Sequence, residues 1–420
     1  MKPTFTERLA TPRALLGQVA LGSLAGVVCG ASSALFLALL ERATEWRVGH
    51  ERVVFALPLA GLALGALLER VGGPVRGGNN LVIDTIHDEG PEIPLRMAPL
   101  VLVGTVLTHL FGGSAGREGT AVQMGASLAD ALAHRLRIGA AGRRQLLAAG
   151  VAGGFGSVFG TPVAGAIFGL EFVVLGRVEY GALVPALTSA VVGDVVTRAL
   201  GISHTGYAVA PSVALSPRLV GAWLLFAVVV AAVATVFIEL THAIKRAGER
   251  WRLPWRMLAG GVVVVGLWQL AGTSDYLGLG VPTIVRAFHD PQLPVTAFAW
   301  KLLFTAVTLG AGFLGGEVTP LFFLGATLGG ALGPRLGIPQ ELAAGVGLAA
   351  MFAAASNTPL ALSVMAVELL GAGVLPHVAI VATLAYVLTG HRSIYPAQRV
   401  VELKAGGRLD RSTPLRDLGR

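Results

Sequence analysis

The sequence predicts an all-α membrane protein built from two related halves. Its 420 residues are 54% hydrophobic and only 13% charged, and the mean hydropathy is +0.71. A soluble domain carries about 25% charged residues. A larger buried core would still need a polar surface, so the apolar excess must face lipid. The 57 glycines suit closely packed membrane helices.

The apolar segments are closely spaced, and several are interrupted. Several exceed the ~20 residues that cross a bilayer as a helix. Others contain a Thr-Pro break, at Pro162 and at Pro359. Such breaks predict pairs of short, tilted or re-entrant helices whose free backbone groups are buried in protein or line a cavity. The uncharged stretches are Ala14–Leu40, Val53–Leu68, Met97–Gly116, Gln145–Leu170, Leu219–Ile238, Leu302–Gly316, Leu342–Val367 and Leu369–Gly390.

The basic residues predict the orientation of the chain. The first apolar run follows Lys2, Arg8 and Arg13, and it is too long for the ~7–15-residue core of a signal peptide. Other basic clusters lie at residues 135–144, 245–256 and 392–420. The positive-inside rule then places both termini in the cytoplasm. The net charge of +8 is explained by these loops, so we expect no nucleic-acid partner.

These features give a division into three parts. Residues 1–13 form a cytoplasmic N-terminal segment. Residues 14–390 form the transmembrane domain, with halves at about 14–200 and 218–390. Residues 391–420 form a short C-terminal segment that has no room for a folded regulatory domain.

An internal repeat is the strongest sign of organisation. A Thr-Pro-x-Ala sequence begins at Thr161 and again at Thr358, and each is followed by a glutamate nine residues after its proline, Glu171 and Glu368. Upstream, Gly-Ala-Ser-Leu at 125–128 matches Gly-Ala-Thr-Leu at 325–328. Two halves with interrupted helices place a transport site at their interface, near the middle of the bilayer.

Residues 116–120 (Gly-Arg-Glu-Gly-Thr) form the first candidate site. They open a helix at membrane depth, where a carboxylate such as Glu118 is costly unless it is paired or used. A helix N-terminus attracts anions, so Glu118 can occupy an anion site and leave it when protonated. The structural alternative is an ion pair between Glu118 and Arg117.

Residues 315–320 (Gly-Gly-Glu-Val-Thr-Pro) are the counterpart in the second half. Pro320 suits the first turn of a helix, Thr319 adds a hydroxyl, and Glu317 adds a titratable group. The alternative is a proline-started helix with an incidental glutamate.

Two weaker candidates complete the set. In residues 77–81 (Gly-Gly-Asn-Asn-Leu), the glycines permit close backbone approach, and Asn79 offers two N–H donors; an ordinary turn explains the same residues. Tyr395 follows the last apolar span and can donate one hydrogen bond, or it can be an interfacial tyrosine.

The sequence predicts no metal site and no cofactor. The acidic loop around His87 lacks ligand spacing, and the single cysteine, Cys29, lies in an apolar run. No phosphate-binding loop, nucleophile elbow or zinc-protease pattern occurs. An intramembrane enzyme or sensor using Glu118, Glu317 or Glu368 is a weak alternative, because no nucleophile or metal partner is present.

In this order the motifs resemble those of the CLC chloride channel and transporter family. The family's three anion-binding stretches correspond to residues 78–82, 116–120 and 315–320, and its conserved late tyrosine corresponds to Tyr395. The resemblance covers roughly residues 10–400. It implies a CLC-type fold of two inverted-topology halves with many tilted and re-entrant helices, and a homodimer with one pathway per subunit.

The departures from the chloride-transporting pattern are similar to the fluoride/proton antiporter branch of the family. Asn79 replaces the serine that faces chloride, and Glu317 and Thr319 replace apolar residues. The resemblance implies that Glu118 gates the pathway and carries a proton. We expect Glu317 to form part of the proton route. It implies an anion bordered by Asn79, Gly119, Val318, Thr319 and Tyr395.

We therefore expect a fluoride/proton antiporter in a bacterial-type inner membrane. Its partners would be fluoride, protons, the lipid bilayer and a second copy of the chain. A chloride/proton antiporter or a passive anion channel of the same fold is the alternative. Phe172 favours the passive channel, because many CLC antiporters have an inner glutamate at the matching position.

Overall fold

The computed structural model describes residues 5–87, 92–208 and 211–418, with side chains from residue 12 onward. Lys2 and Arg8, on which part of the predicted orientation depends, lie outside these described side chains. Sixteen α-helices form the described chain: α1 (Phe5–Gly49), α2 (Leu57–Leu67), α3 (Asn79–Ile86), α4 (Met97–Leu110), α5 (Glu118–Arg135), α6 (Ala140–Phe159), α7 (Pro162–Glu171), α8 (Leu183–Ala199), α9 (Pro217–Gly248), α10 (Leu253–Ala271), α11 (Val281–Arg286), α12 (Ala297–Gly310), α13 (Val318–Leu332), α14 (Gln340–Ser356), α15 (Pro359–Leu370) and α16 (Leu375–Leu388).

Five helical segments in the described ranges are long and apolar enough to cross a membrane. They are Pro12–Gly49, Glu51–Gly77, Tyr180–Ala199, Pro217–Gly248 and Leu253–Ala271. Most of the remaining apolar helices have 10–17 residues. A helix rises 1.5 Å per residue, so these shorter helices cover only part of a bilayer. The fold therefore mixes complete spans with partial ones.

The two Thr-Pro breaks interrupt helices as predicted. Helix α6 ends at Gly160, whose φ is +73°, and helix α14 ends at Asn357, whose φ is +61°. The left-handed conformation stops a helix, and glycine and asparagine tolerate it best. The next helices, α7 and α15, then begin at Pro162 and Pro359, where a missing N–H costs nothing.

The repeated Gly-Ala-Ser/Thr-Leu sequence marks a helix crossing in each half. A Cβ added to Gly125 would lie 2.2 Å from the carbonyl oxygen of Gly150, so α5 and α6 touch backbone to backbone. A Cβ added to Gly325 would lie 2.0 Å from the carbonyl oxygen of Gly347, so α13 and α14 touch in the same way. Only glycine permits this approach.

The repeated glutamates cap each other's helices. The Glu171 carboxylate accepts hydrogen bonds from the backbone N–H groups of Leu360 (3.1 Å) and Ala361 (2.8 Å), at the start of α15. The Glu368 carboxylate accepts from Val163 (3.0 Å) and Ala164 (2.8 Å), at the start of α7. Each half thus supplies the anion that satisfies the other half's free helix N-terminus.

The described chain is all-α, as predicted, apart from one small sheet. Strand β1 (Val174–Leu175) pairs in parallel with β2 (Arg399–Glu402), and β2 pairs antiparallel with β3 (Arg408–Pro414). The segment after residue 391, predicted as a short tail, therefore folds back as a hairpin against the end of α7.

Candidate anion site

The loops before α5 and α13 meet in a two-residue antiparallel bridge. The N–H of Gly116 donates to the carbonyl of Gly316 at 2.6 Å, and the N–H of Gly316 donates to the carbonyl of Gly116 at 2.8 Å. This reciprocal exchange joins the two glycine-rich candidate motifs directly. It brings the N-termini of α5 and α13 to the same place.

Glu118 occupies the N-terminal end of α13. One oxygen, Oε2, accepts from the backbone N–H of Thr319 at 3.1 Å, and the other, Oε1, accepts from the Thr319 hydroxyl. The side chain has no solvent exposure. A carboxylate in this position satisfies the free N–H of one helix with the side chain of another.

The predicted alternative, an ion pair with Arg117, is also present but looser. The Arg117 Nε lies 3.5 Å from Glu118 Oε1, beyond the 2.7–2.9 Å typical of a charge-assisted hydrogen bond. The backbone N–H of Arg117 donates to Glu118 Oε2 at 3.1 Å. The carboxylate is thus held mainly by hydrogen-bond donors that are neutral, and two of them come from Thr319.

Asn79, Gly119 and Glu317 meet beside this carboxylate. A Cβ added to Gly119 would lie 3.1 Å from Asn79 Nδ2, 3.0 Å from Gly316 Cα and 3.6 Å from Glu317 Oε2. Asn79 and Gly119 are buried, and Glu317 is half-buried. Gly119 therefore leaves open the space on which the amide and the second carboxylate converge, and any side chain there would fill it.

Two buried oxygens at this point have no hydrogen-bond partner in the described part of the chain, Glu317 Oε2 and Asn79 Oδ1. Leaving a buried polar atom unpaired is costly. Such atoms mark a place where a further polar species or a proton is accommodated. Val318, the first residue of α13, is buried next to Glu317.

Tyr395 and Phe172 pack against each other. Both are buried, and their ring centroids are 5.6 Å apart with an edge-to-face angle of 89°. Phe172 stacks on Phe168 (5.1 Å), which stacks on Phe155 (4.2 Å). An apolar aromatic row therefore runs from Phe172 through Phe168 to Phe155.

A cavity of about 1130 Å³ leads to the site. Asn79, Glu317 and Tyr395 line the cavity, whereas Glu118 does not. Basic side chains from three parts of the chain line its walls, and they include most of the predicted central basic cluster and two members of the C-terminal one: Arg76, Lys245, Arg246, Arg252, Arg256, Arg392 and Arg416. Four carboxylates line the cavity as well, those of Glu69, Glu239, Glu249 and Glu317. Basic groups still outnumber acidic ones, and a net positive wall favours the entry of anions.

Sequence reasoning missed the hydroxyl groups around the bridge. Thr105 and Thr120 share a 2.7 Å hydrogen bond. Ser114 contacts Thr305 through its hydroxyl (2.9 Å) and donates its backbone N–H to Thr308 Oγ1 (3.1 Å). The signal was available, since Thr-x-x-Thr occurs at 105–108 and again at 305–308, the same spacing as between Gly125 and Gly325.

The seven site residues identified from the sequence thus fall into one region. Glu118, Gly119, Glu317, Val318 and Thr319 surround the bridge, Asn79 faces Gly119, and Tyr395 shares the cavity wall with Asn79 and Glu317. Their individual roles remain predictions.

Comparison with known proteins identifies the family of the chain. The family described as "Voltage gated chloride channel" matches residues 60–390. A "Chloride/fluoride channel protein" of Pseudomonas syringae pv. tomato is 47% identical, over 91% of this chain and 86% of that protein.

Two solved structures share the fold. One, described as a CLC-type fluoride/proton antiporter, superposes with a TM-score of 0.89 at 34% identity and covers 95% of this chain and all of that one. Another, described as a slow cyanobacterial Cl⁻/H⁺ antiporter, has a TM-score of 0.78 at 19% identity and covers 89% of this chain and 94% of that one; at that identity it supports the fold alone. The chain therefore belongs to the CLC family of voltage-gated chloride channels and related antiporters.

Proposed function

We propose that this protein exports fluoride from the cytoplasm in exchange for protons. The observation that carries the proposal is the Glu118 carboxylate at the N-terminus of α13, where it accepts from both the N–H and the hydroxyl of Thr319. A mobile anion would use the same donors. The carboxylate and the anion therefore compete for one place.

Protonation links this competition to proton movement. A neutral Glu118 is a weaker hydrogen-bond acceptor than a carboxylate, so protonation favours its release from α13 and the entry of an anion. The anion then leaves when Glu118 loses its proton and returns. One residue thereby alternates between occupying the anion site and carrying a proton. The buried carboxylate of Glu317, beside Gly119, is a candidate for a second proton position.

The donors favour the smallest halide. Fluoride holds its hydration water tightly, so a buried site must replace those hydrogen bonds with close, strong donors. Asn79 contributes an amide in place of a hydroxyl, and Thr319 contributes a hydroxyl in place of an apolar side chain. Hydrofluoric acid is a weak acid that crosses membranes and dissociates in the cytoplasm, which gives a cell a need for proton-coupled export. The fluoride/proton antiporter similar to this chain supports the same substrate.

A passive anion channel is the second candidate, and the aromatic row supports it. Phe172 packs between Phe168 and Tyr395, so the usual inner position has no group that can bind a proton. The similar protein of Pseudomonas syringae is named a channel. The two candidates differ in a single measurable quantity, the number of protons that move with each anion.

The orientation we propose has both termini in the cytoplasm of a bacterial-type inner membrane. The central basic loop and the C-terminal segment line one cavity, so they lie on the same side of the membrane. The positive-inside rule assigns that side to the cytoplasm. The cavity would then be the cytoplasmic entrance and Glu118 the group that closes the outer end.

We also propose that the protein is a homodimer. Helices α7, α8, α15 and α16 pack on one another, and they expose large apolar side chains, including Val163 and Leu360. Glu368 lies exposed between them, bonded to the start of α7. A carboxylate facing lipid is costly, whereas the matching face of a second copy would cover it.

The test is ion flux from purified protein in liposomes. Fluoride and chloride efflux and external pH are recorded for the wild type, for Glu118→Gln and for the matched control Glu368→Gln. The control also removes a carboxylate that accepts two hydrogen bonds at a helix N-terminus, but away from the cavity. We expect fluoride efflux to drive protons inward in the wild type and in the control, and proton movement to disappear in Glu118→Gln.

Each other outcome is informative. Fluoride efflux without protons in the wild type would replace the antiporter with the passive channel. Chloride efflux equal to that of fluoride would remove the selective role of Asn79. Normal proton coupling in Glu118→Gln would show that another group carries the proton.

A further inference from the structure

The short helix α3 is held to the C-terminal segment at both of its ends. Its first residue, Asn79, lies in the anion site. The side-chain oxygen of Asn80 accepts from the backbone N–H of Ala397 at 3.0 Å. At the far end, the Asp84 carboxylate accepts two hydrogen bonds from the Arg416 guanidinium, each of 3.0 Å. This parallel two-bond arrangement is the most directional contact available to an arginine.

Arg416 is itself fixed by the fold of the C-terminal hairpin, which we define as residues 396–417. The backbone N–H of Arg416 donates to the carbonyl of Pro396 at 2.9 Å, and that of Leu415 donates to the carbonyl of Gln398 at 2.8 Å. The guanidinium therefore contacts Asp84 from an ordered backbone.

Gln398 fastens the hairpin to the transmembrane helices. Its side chain is fully buried. The amide nitrogen donates to the carbonyls of Phe172 (2.8 Å) and Ser356 (2.7 Å), at the ends of α7 and α14. The amide oxygen accepts from Ser393 (2.6 Å) and Asn357 (3.1 Å). Four hydrogen bonds therefore hold the Gln398 amide, and they fix the start of the hairpin to the transmembrane helices.

Helix α3 needs such external support. It has eight residues, and isolated helices shorter than ~12–15 residues are marginal in water even when their sequences favour helix. Its position therefore depends on tertiary contacts. The Asp84–Arg416 pair is one of these contacts. Asp84 lies in the last turn of α3, at the opposite end from Asn79.

We propose that the C-terminal hairpin is a latch that positions α3, and that Asp84 and Arg416 are positioning residues for anion selection. This inference rests on the proposed function, because it assigns Asn79 to the anion. A small, strongly hydrated anion tolerates little displacement of its donors, since close donors must replace its water. Loosening α3 should therefore weaken the binding of fluoride more than the binding of the larger chloride.

The test compares Arg416→Gln and Asp84→Asn with Arg411→Gln. Arg411 is an exposed residue of the same hairpin. Its replacement removes the same charge and leaves the contact between Asp84 and Arg416 intact. Hydrogen exchange at the α3 amides reports the latch directly, and the ratio of fluoride to chloride efflux from liposomes reports selection. For a partly exposed ion pair we expect the ratio to fall about two- to fivefold in both latch variants, with faster exchange in α3.

The conservative variant Arg416→Lys keeps the charge but loses the two-bond geometry, so it should fall between the wild type and Arg416→Gln. If hydrogen exchange at the α3 amides were unchanged in Arg416→Gln and Asp84→Asn, the proposal that the hairpin positions α3 would be wrong. If exchange became faster but the ratio of fluoride to chloride efflux equalled that of Arg411→Gln, the hairpin would position α3 without affecting anion selection. If Arg416→Gln does not fold, Asp84→Asn decides, because it leaves every backbone contact of the hairpin in place. A wild type that moves no fluoride would overturn the proposed function, and the exchange measurement would still decide the latch.

Discussion

Replacing Thr319 with valine isolates the donor that Glu118 and an anion would share. Valine has nearly the same shape, so the change keeps the Thr319 backbone N–H, which lies 3.1 Å from Glu118 Oε2. It removes the hydroxyl that donates to Glu118 Oε1. A hydrogen bond to a charged group contributes about 1.5–3 kcal/mol. Fluoride bound in the same place should therefore bind roughly ten- to a hundredfold more weakly.

The measurement is titration calorimetry of fluoride in the Glu118→Gln background, in which no carboxylate competes for α13. The control is Thr327→Val, on the same helix. Thr327 is equally buried, but its hydroxyl donates to the carbonyl of Phe323 within the helix (2.7 Å). If Thr319→Val bound fluoride as tightly as Thr327→Val, the Thr319 hydroxyl would not face the anion, and the shared-donor argument would fail.

Two further predictions concern stability. Glu171→Gln and Glu368→Gln should each lower the free energy of unfolding by about 1–3 kcal/mol, because each loses a charged acceptor for two backbone N–H groups. The loss should be larger for the buried Glu171. Thermal unfolding in detergent measures both losses. The second concerns Lys404, where burial lowers the pKa to about 7. Between about pH 7 and pH 10 the unfolded chain then binds more protons at Lys404 than the folded chain does. The free energy of unfolding should therefore rise with pH, by at most about 1.4 kcal/mol per pH unit. Lys404→Met should not show that rise.

The controls for these predictions are simple. For the caps, Glu45→Gln removes an exposed glutamate of α1 and should leave the unfolding temperature unchanged; equal unfolding temperatures for all three variants would contradict the capping argument. For Lys404, whose amine contacts Asn357 Oδ1 (2.6 Å) and the carbonyl of Tyr386 (2.7 Å), parallel pH profiles of the wild type and Lys404→Met would contradict the assigned pKa.

Much of the fold could be predicted because lipid imposes strong constraints on composition. Apolar runs identify the spans, and the proline breaks at Pro162 and Pro359 mark interrupted helices. The centre of the site could be predicted because Glu118 and Glu317 fall in glycine-rich motifs that recur in the same order in both halves. The threonines around the bridge were missed, since a single hydroxyl in an apolar helix usually bonds to its own backbone, and nothing local distinguishes Thr105 or Thr305 from such a residue.

The C-terminal segment shows the limit most clearly. Its sequence is short and basic, and composition predicts a tail. Its β-strands form because β1, more than 200 residues earlier, offers an edge and because Gln398 finds carbonyls at two helix ends. Pairing across such a distance leaves no periodic signal in the segment itself.

The sequence by itself determined that this chain lies in a membrane, that it has two halves, and which acids and hydroxyls are candidates for anion and proton transfer. Those conclusions follow from composition, order and repetition, which are properties of the chain. Only the tertiary structure decided that the Glu118 carboxylate bonds to Thr319 of the other half, and that Glu171 and Glu368 cap helices. A helix N-terminus leaves free N–H groups that any nearby acceptor can satisfy, and the packing of the two halves selects which one does.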